Sequence, residues 1–402
     1  MAALQEGTIG ILPAGALGVS FFYHLTGELA RADGAVVFLE RTGSASATQL
    51  RQQTELRIAD AHGVRCVNIA NIWQPDLLTC HAAGRLPEIL LVCPNPDQLL
   101  GVITDVVQLL ERIHHAGGLN APLLPLPLIV LCSNGIYFQR VRQIFLEKLE
   151  EATLLGRLPD LWPDLMPRLV GRLLRGVTIQ TGVREGAGAG TIYRPGPRGI
   201  TRIAGGDAAN RARCAELLTA RGGWFEVADC PPTRVEFDKA MVNLVANLLG
   251  QLYAIDDTGE LRVLTVGEII RPEHEVEIRH LCEQVFRIGQ AVKAYGAQEN
   301  FAPALAATFA SLHQHAGHTP SSLQWVALRL RAHQLEAALT PTETWLLDPL
   351  MHYARSAGLD DAAQYLAELK RRLLARLLLA QRWNDRTRTQ SATAGTPASG
   401  PA

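Results

Sequence analysis

The sequence predicts an α/β domain followed by an all-α domain, and three observations carry that expectation. Short apolar runs alternate with helical patterns in the N-terminal half of the chain, the rhythm of strands joined by crossover helices. A Gly- and Pro-rich stretch follows, and from Arg234 onward the periodicity is helical almost throughout. At 402 residues, 48% hydrophobic and 19% charged, the chain has the length for two domains and the composition of a folded protein.

Thr8 to Leu12 reads as a buried strand, followed by a turn and a helix from about Ala16 to Ala30. Ala35 to Leu39 is a second strand with Glu40 and Arg41 at its end. Ile89 to Cys93 and Leu128 to Cys132 are further buried strands, the latter running into Asn134 and Gly135. Loops after such strand ends are where open parallel sheets bind ligands. Val177 to Gly182, the stretch Gly186 to Gly206 and Trp224 to Val227 suggest an antiparallel flap. Helical patterns occupy 236 to 253, 273 to 295, 301 to 314, 321 to 339, 343 to 357 and 360 to 383. The expected boundaries are 1–230 for the α/β domain, 231–386 for the helical domain and 387–402 for a disordered Thr, Ser, Ala, Gly and Pro tail.

Several function classes are disfavoured at the outset. The net charge of −1 supplies no field to gather nucleic acid or an anionic membrane. The longest apolar run, Ala121 to Cys132, falls short of the ~20 residues of a spanning helix, and Pro122, Pro125 and Pro127 interrupt it. The first residues lack a basic segment ahead of an apolar one, so a cytoplasmic protein is expected. Seven scattered cysteines without a C-x-x-C pair read as reduced thiols. His313, His315 and His318 have no obvious fourth ligand nearby, and no metal is expected. Residues 370–388 carry seven Lys and Arg against Asp385 and read as a terminal bundle helix with a solvated basic face.

Two constellations could carry chemistry. Pro13-Ala14-Gly15-Ala16-Leu17-Gly18 lies between the first strand and the first helix. In a dinucleotide loop of the G-x-G-x-x-G kind, the second glycine lets backbone approach the pyrophosphate and the third lets helix pack on strand; Gly15 and Gly18 fill those places, and Pro13 stands in the first. The alternative is a plain tight turn. Glu40, about where a ribose-reading residue belongs, favours the cofactor reading. Glu40 suits a free 2′-hydroxyl, whereas Arg41 could pair a 2′-phosphate. The second constellation is Lys239, Asn243 and Asn247, spaced by four on one face of an otherwise apolar helix and drifting only ~40° per step. Flanked by Ala, Met, Val and Leu rather than by charges, this stripe points to a polar cleft inside the protein rather than to a solvated face.

Together these residues resemble the ketopantoate reductase family, the 2-dehydropantoate 2-reductases of the superfamily with a 6-phosphogluconate dehydrogenase-like C-terminal domain. The likeness runs from about Thr8 to Leu359. Its most specific part is the Lys239, Asn243, Asn247 helix, preceded by a strand-like segment and a turn containing Asp229. Asn134-Gly135, Val177 to Val183, Ser321-Ser322-Leu323-Gln324, Thr342-Glu343 and Asp348-Pro349 resemble further family positions.

The resemblance implies a Rossmann domain and a helical domain with the active site between them. It implies NADP(H), with NAD(H) as the alternative, and a small 2-oxo acid substrate, ketopantoate of pantothenate biosynthesis being the first candidate. Lys239 would be the general acid, and Glu343 would pair with the lysine or the substrate hydroxyl. Asn243 and Asn247 would bond the substrate's hydroxyl and carbonyl oxygens, Ser321 or Ser322 its carboxylate, and Asn134 would line the nicotinamide end. Asn95 stands where the family carries a lysine near substrate and cofactor. A homodimer is expected, without nucleic acid or membrane. The rival readings are a related reductase of another carbonyl or an imine, and a non-catalytic dinucleotide-binding homologue.

Overall fold

A computed structural model describes residues 4–31, 34–121, 124–186 and 188–394. It comprises two compact units, Met1–Val235 and Glu236–Ala402, where the sequence places the boundary at 230/231.

The strands of the first unit are β1 (Leu4–Leu12), β2 (Val36–Leu39), β3 (Glu55–Asp60), β4 (Gly63–Asn68), β5 (Trp73–Gln74), β6 (Leu86–Val92), β7 (Leu128–Leu131), β8 (Leu173–Thr178), β9 (Gly182–Glu185), β10 (Ile192–Pro195), β11 (Thr201–Gly205) and β12 (Phe225–Val227). Its helices are α1 (Ala16–Leu25), α2 (Ala45–Arg51), α3 (Leu77–Ala82), α4 (Leu99–His115), α5 (Phe138–Leu154), α6 (Leu165–Val170) and α7 (Ala208–Ala220). The main sheet runs β12, β11, β8, β7, β6, β1, β2, β5. Its neighbours pair in parallel except β8 with β11, which are antiparallel. β2 and β7 are buried at every residue, as expected of strands covered on both faces. Val102, Val106 and Leu110 of α4 join Phe145 and Leu149 of α5 in one core. Val19 and Phe22 of α1 and Leu217 and Leu218 of α7 belong to another.

A second sheet, ordered β4, β3, β10, β9, forms from residues the sequence does not mark as one element. The antiparallel flap expected over 177–230 is realised only in part: β9 and β10 pair antiparallel, but β8, β11 and β12 extend the main sheet. The reason lies in β3, whose parallel pairing with β10 gives the hairpin a partner far away in sequence. This second sheet packs on α1 through β9 and β10. All of α1 from Gly18 to Leu25 is buried, which accounts for a sequence apolar on every side. The helix is shorter than expected because Gly27, Glu28 and Leu29 take positive φ angles of 59°, 56° and 70°, ending the right-handed run.

The second unit begins within α8 (Pro232–Asn243) and continues through a π-helical turn (Leu244–Leu249), α9 (Gly250–Ala254), α10 (Val266–Ile269), α11 (Glu275–Ala291), α12 (Phe301–Gln314), α13 (Ser321–Arg331), α14 (Pro341–Ser356) and α15 (Asp360–Ala394). Leu366, Leu369, Leu373 and Leu377 form a fully buried seam on α15, at the spacing of one helix face. The helix expected over 321–339 stops at Arg331, and His333 takes a φ of 53°. The tail expected from 387 is helical as far as Ala394. Its Arg, Gln and Ala residues are good helix formers, and the first breakers, Gly395 and Pro397, come after that point. Residues 395–402 lie outside the described residues.

Gly18 tests how the first turn is built. A Cβ there would sit 2.2 Å from the carbonyl oxygen of Pro13, backbone that has no flexible end to yield. Gly18→Ala should lower the unfolding free energy by about 1–3 kcal/mol, as overpacking does, in a thermal or urea melt. An unchanged melting curve would mean that α1 does not close against the turn.

Candidate functional site

In the first unit the site is defined by the parallel strands. β1, β2, β6 and β7 end at one edge of the sheet, and β1 is flanked by β2 and by β6, from a later crossover. That reversal of strand order opens a crevice at the carboxyl ends, where such sheets hold nucleotides. Pro13 to Gly18 follow β1, Glu40 and Arg41 follow β2, Asn95 lies just beyond β6 and Asn134 just beyond β7. Topology therefore brings every expected cofactor residue to this edge.

Gly15 caps the N-terminus of α1 with no side-chain bond to it, leaving backbone N–H groups and the positive end of the helix for an anion. Gly15, Ala16 and Leu17 are part-exposed, and a Cβ on Gly15 would meet nothing closer than 3.9 Å. Space exists for a phosphate to approach backbone there. Ala14, by contrast, is enclosed: its N–H donates to Glu40 Oε1 at 2.7 Å and its carbonyl accepts from Tyr193 Oη at 3.0 Å. These residues fit a dinucleotide whose pyrophosphate lies over Gly15 to Leu17.

Glu40 is buried at 2% exposure. Besides Ala14 N–H it accepts from the hydroxyls of Ser46 and, at 3.3 Å, Ser44. Burial pushes its carboxyl above the usual range, and these donors oppose the shift. Arg41 turns to α4, where its Nε donates to Asp105 Oδ2 at 2.6 Å. Asn95 and Asn134 are exposed. The loop carrying Asn134 is held from beneath by Arg175, 1% exposed, whose guanidinium donates to the carbonyls of Leu131, Ser133, Gly135 and Gly176 at 2.7–3.2 Å and lies 4.5 Å from the Tyr137 ring.

The second unit holds the other constellation. Lys239 and Asn243 lie on α8, and Asn247 lies in the π turn. Each residue of a π-helix rotates less than the ~100° of an α-helix, so this turn recovers part of the drift that steps of four accumulate. Asn247 Oδ1 accepts from the backbone N–H of Ser322 at 3.1 Å and from Ser321 Oγ at 3.3 Å. Glu343, 1% exposed, accepts at Oε1 from Ser322 Oγ and from Gln251 Nε2 at 3.0 Å, and at Oε2 from Thr340 Oγ1. Burial pushes the Glu343 carboxyl up to about 7 despite these bonds. Lys239 keeps partial surface exposure, yet desolvation alone pulls its ammonium down to about 8. Within this unit, among the described residues, neither the Lys239 ammonium nor the Asn243 amide has a hydrogen-bond partner. The result is a proton donor and an open amide beside a fixed network of hydroxyls, amides and one carboxyl.

The structure thus joins Asn247, Ser321, Ser322 and Glu343 directly. Among the described residues no ion pair links Glu343 to Lys239; the carboxyl's partners are Ser322, Gln251 and Thr340. Gln251 was missed although it continues the spacing by four from Lys239. Tyr193, Thr340 and Arg175 were also missed; of these only Arg175, a charge within an apolar strand, carried a signal. Asp348 pairs with Lys370 at 2.6 Å. Arg372 and Arg376 pair with Glu277 and Asp257 at 2.9 and 2.6 Å, so the basic helix spends much of its charge on neighbouring acids. No group of three or more His, Cys, Asp or Glu converges as a metal site among the described residues, and none of the helices described is long and apolar enough to cross a membrane.

No protein-family model matches the chain, and no curated protein matches it in sequence. Solved structures do match in fold. A D-mandelate dehydrogenase, in a ternary structure with NADH and anilino(oxo)acetate, is 15% identical with a TM-score of 0.60, covering 92% of this chain and 98% of its own. A ketopantoate reductase of Ralstonia eutropha is 17% identical with a TM-score of 0.55, covering 92% and 99%. A dimeric ketopantoate reductase of Staphylococcus aureus is 15% identical with a TM-score of 0.51, covering 94% and 99%. The chain has the fold of these reductases, a Rossmann-like α/β unit followed by a helical one.

The buried Glu343 makes stability depend on pH. With its folded value raised from 4.5 to about 7, the carboxyl stabilises the fold fully below pH 4.5, and that contribution is lost as pH rises through 7. Between pH 4.5 and 8 the wild type should lose on the order of 3 kcal/mol relative to Glu343→Gln in urea unfolding. A difference that does not vary with pH would place the carboxyl in water.

Proposed function

We propose that this chain is an NAD(P)H-dependent reductase of a 2-oxo acid, with ketopantoate as the first substrate to try. The observation that carries the reading is Lys239, a desolvated ammonium with a value near 8, one helical turn from the Asn243 amide and two from Asn247, which joins the network of Ser322 and Glu343. A lysine kept without a partner in dense surroundings costs stability, and such groups cluster where proton transfer is needed. A nicotinamide dinucleotide held over Gly15 to Leu17 would supply the hydride that the carbonyl carbon takes.

The chain's own groups supply the rest. Lys239 polarises the carbonyl oxygen and delivers its proton as negative charge develops there; a value near 8 keeps it protonated at neutral pH yet able to release the proton. The Asn243 amide orients the substrate's oxygens. Asn247 is held at Oδ1 by Ser321 and Ser322 and presents its two amide hydrogens in a fixed direction. Ser321, exposed, is the hydroxyl that can turn from its 3.3 Å bond to Asn247 toward a carboxylate, whereas Ser322 is committed to Glu343. Glu343 acts through Ser322 and Gln251, holding the helices of the network in register. Asn134, on the loop that Arg175 grips, would line the nicotinamide end, and Asn95 stands at the same sheet edge. The same reading expects a cytoplasmic homodimer, in line with the dimeric reductase of similar fold.

Lys239→Ala should lower kcat by roughly 10²–10⁴ with nucleotide affinity nearly unchanged, whereas Asn243→Ala should raise KM more than it lowers kcat. A panel of 2-oxo acids, other carbonyls and imines, followed by loss of nicotinamide absorbance, identifies the substrate on which to measure this. Wild-type turnover in Lys239→Ala would remove the lysine as the acid. A panel without any turnover would leave a nucleotide-binding protein and remove the reductase.

A further inference from the structure

Resting on the nucleotide-binding reading of the turn from Gly15 to Gly18, we propose that this chain is built for NADH rather than NADPH, and that Glu40 sets the choice. The two cofactors differ only at the adenosine ribose, where one carries a 2′-hydroxyl that can donate a hydrogen bond and the other a charged 2′-phosphate. In an open parallel sheet that ribose lies beyond the end of the second strand. The residue standing there is Glu40, directly after β2.

Three features of the first unit bear on that position. The Glu40 carboxylate is tied to Ala14 N–H at 2.7 Å, in the turn that would receive the pyrophosphate, so its place relative to the ribose is set by the turn itself. Ser44 and Ser46, whose hydroxyls could otherwise serve a phosphate, both donate into Glu40. Arg41, the cation next in sequence, is directed to α4: its Nε bonds Asp105 Oδ2 at 2.6 Å, and its guanidinium occupies space that exists because residue 101 is glycine, where a Cβ would lie 2.3 Å from Arg41 Nη1.

A 2′-phosphate arriving here meets a fixed negative charge, two hydroxyls already committed and an arginine already paired. A 2′-hydroxyl brings no charge to oppose that carboxylate and needs neither a cation nor an uncommitted hydroxyl beside it. Electrostatics and hydrogen-bond bookkeeping favour the same cofactor. This reverses the expectation of NADP(H), which rested on family resemblance and on Arg41.

The test is a titration of the full-length protein with NADH and with NADPH, read by nicotinamide fluorescence, on wild type, Glu40→Gln and Asp105→Asn. Wild type should bind NADH at least about tenfold tighter than NADPH. Glu40→Gln keeps an acceptor for Ala14 N–H while removing the charge, and should narrow the ratio through a gain in NADPH affinity. Asp105→Asn releases Arg41 and should also strengthen NADPH binding, an effect that weakens with added salt. Asp105 is part-exposed, so this second variant reports even where Glu40→Gln fails to fold. Wild-type binding of NADPH as tight as that of NADH overturns the inference and leaves the nucleotide site standing. A ratio unchanged in both variants removes Glu40 as its determinant. Binding of neither nucleotide at millimolar concentration overturns the nucleotide reading and this inference with it.

Discussion

The helix after the first strand is buried on both sides, between the main sheet and the smaller one, and much of the first unit depends on that confinement. A helix with one wet face could slide or tilt. α1 has no such face, and its few polar side chains are used up in fixing it: Ser20 Oγ donates to the carbonyl of Thr181 at 2.6 Å, and His24 Nε2 lies 2.9 Å from the carbonyl of Gly196. Gln180, 5% exposed, joins the same seam by donating to Ser20 Oγ at 2.7 Å and to the carbonyl of Pro197 at 3.0 Å. With the helix fixed, the turn at its N-terminus is fixed too, and Glu40 and Tyr193 clasp that turn from either side.

The second unit applies a different principle. There the cost is electrostatic, and desolvation displaces an acid and a base in opposite directions, the Glu343 carboxyl up to about 7 and the Lys239 ammonium down to about 8. The carboxyl is compensated by three donors, whereas among the described residues of its unit the lysine has no hydrogen-bond partner. Groups whose surroundings draw their titration toward neutrality are suited to moving protons at physiological pH. On the proposed reading, the saturated carboxyl serves as structure and the ammonium is the group left to react.

What the sequence made legible follows from how local each signal is. Strands such as Val36–Leu39 and Leu128–Leu131 announce themselves as unbroken apolar runs, and the spacing by four of Lys239, Asn243 and Asn247 shows a helical face directly. Pairings between distant segments leave no such trace. The parallel match of Arg57 with Ile192 makes the second sheet, yet neither segment alone differs much from an edge hairpin. The carboxyl network of Glu343 was half legible: Ser322 and Glu343 came from resemblance, Gln251 lay in plain spacing, and Thr340 depends on how the chain enters α14. The opposed signals of Glu40 and Arg41 could not be weighed without Asp105, which lies on another helix.

The π turn at Leu244–Leu249 also has a bearing on how this helix tolerates change in length. Because it widens the coil by a residue's share of a turn, deleting a single residue there would let the segment relax to an ordinary α-helix without a break in the chain. A deletion in α8 itself has no such reserve: there everything beyond the deletion would be rotated by about 100° relative to everything before it. With a residue lost between Lys239 and Asn243, the lysine would part from the face shared by Asn243, Asn247 and Gln251. The protein could keep its helical content while its polar stripe was divided between two directions. Length in this segment is therefore as much a part of the site as the identity of the side chains it carries.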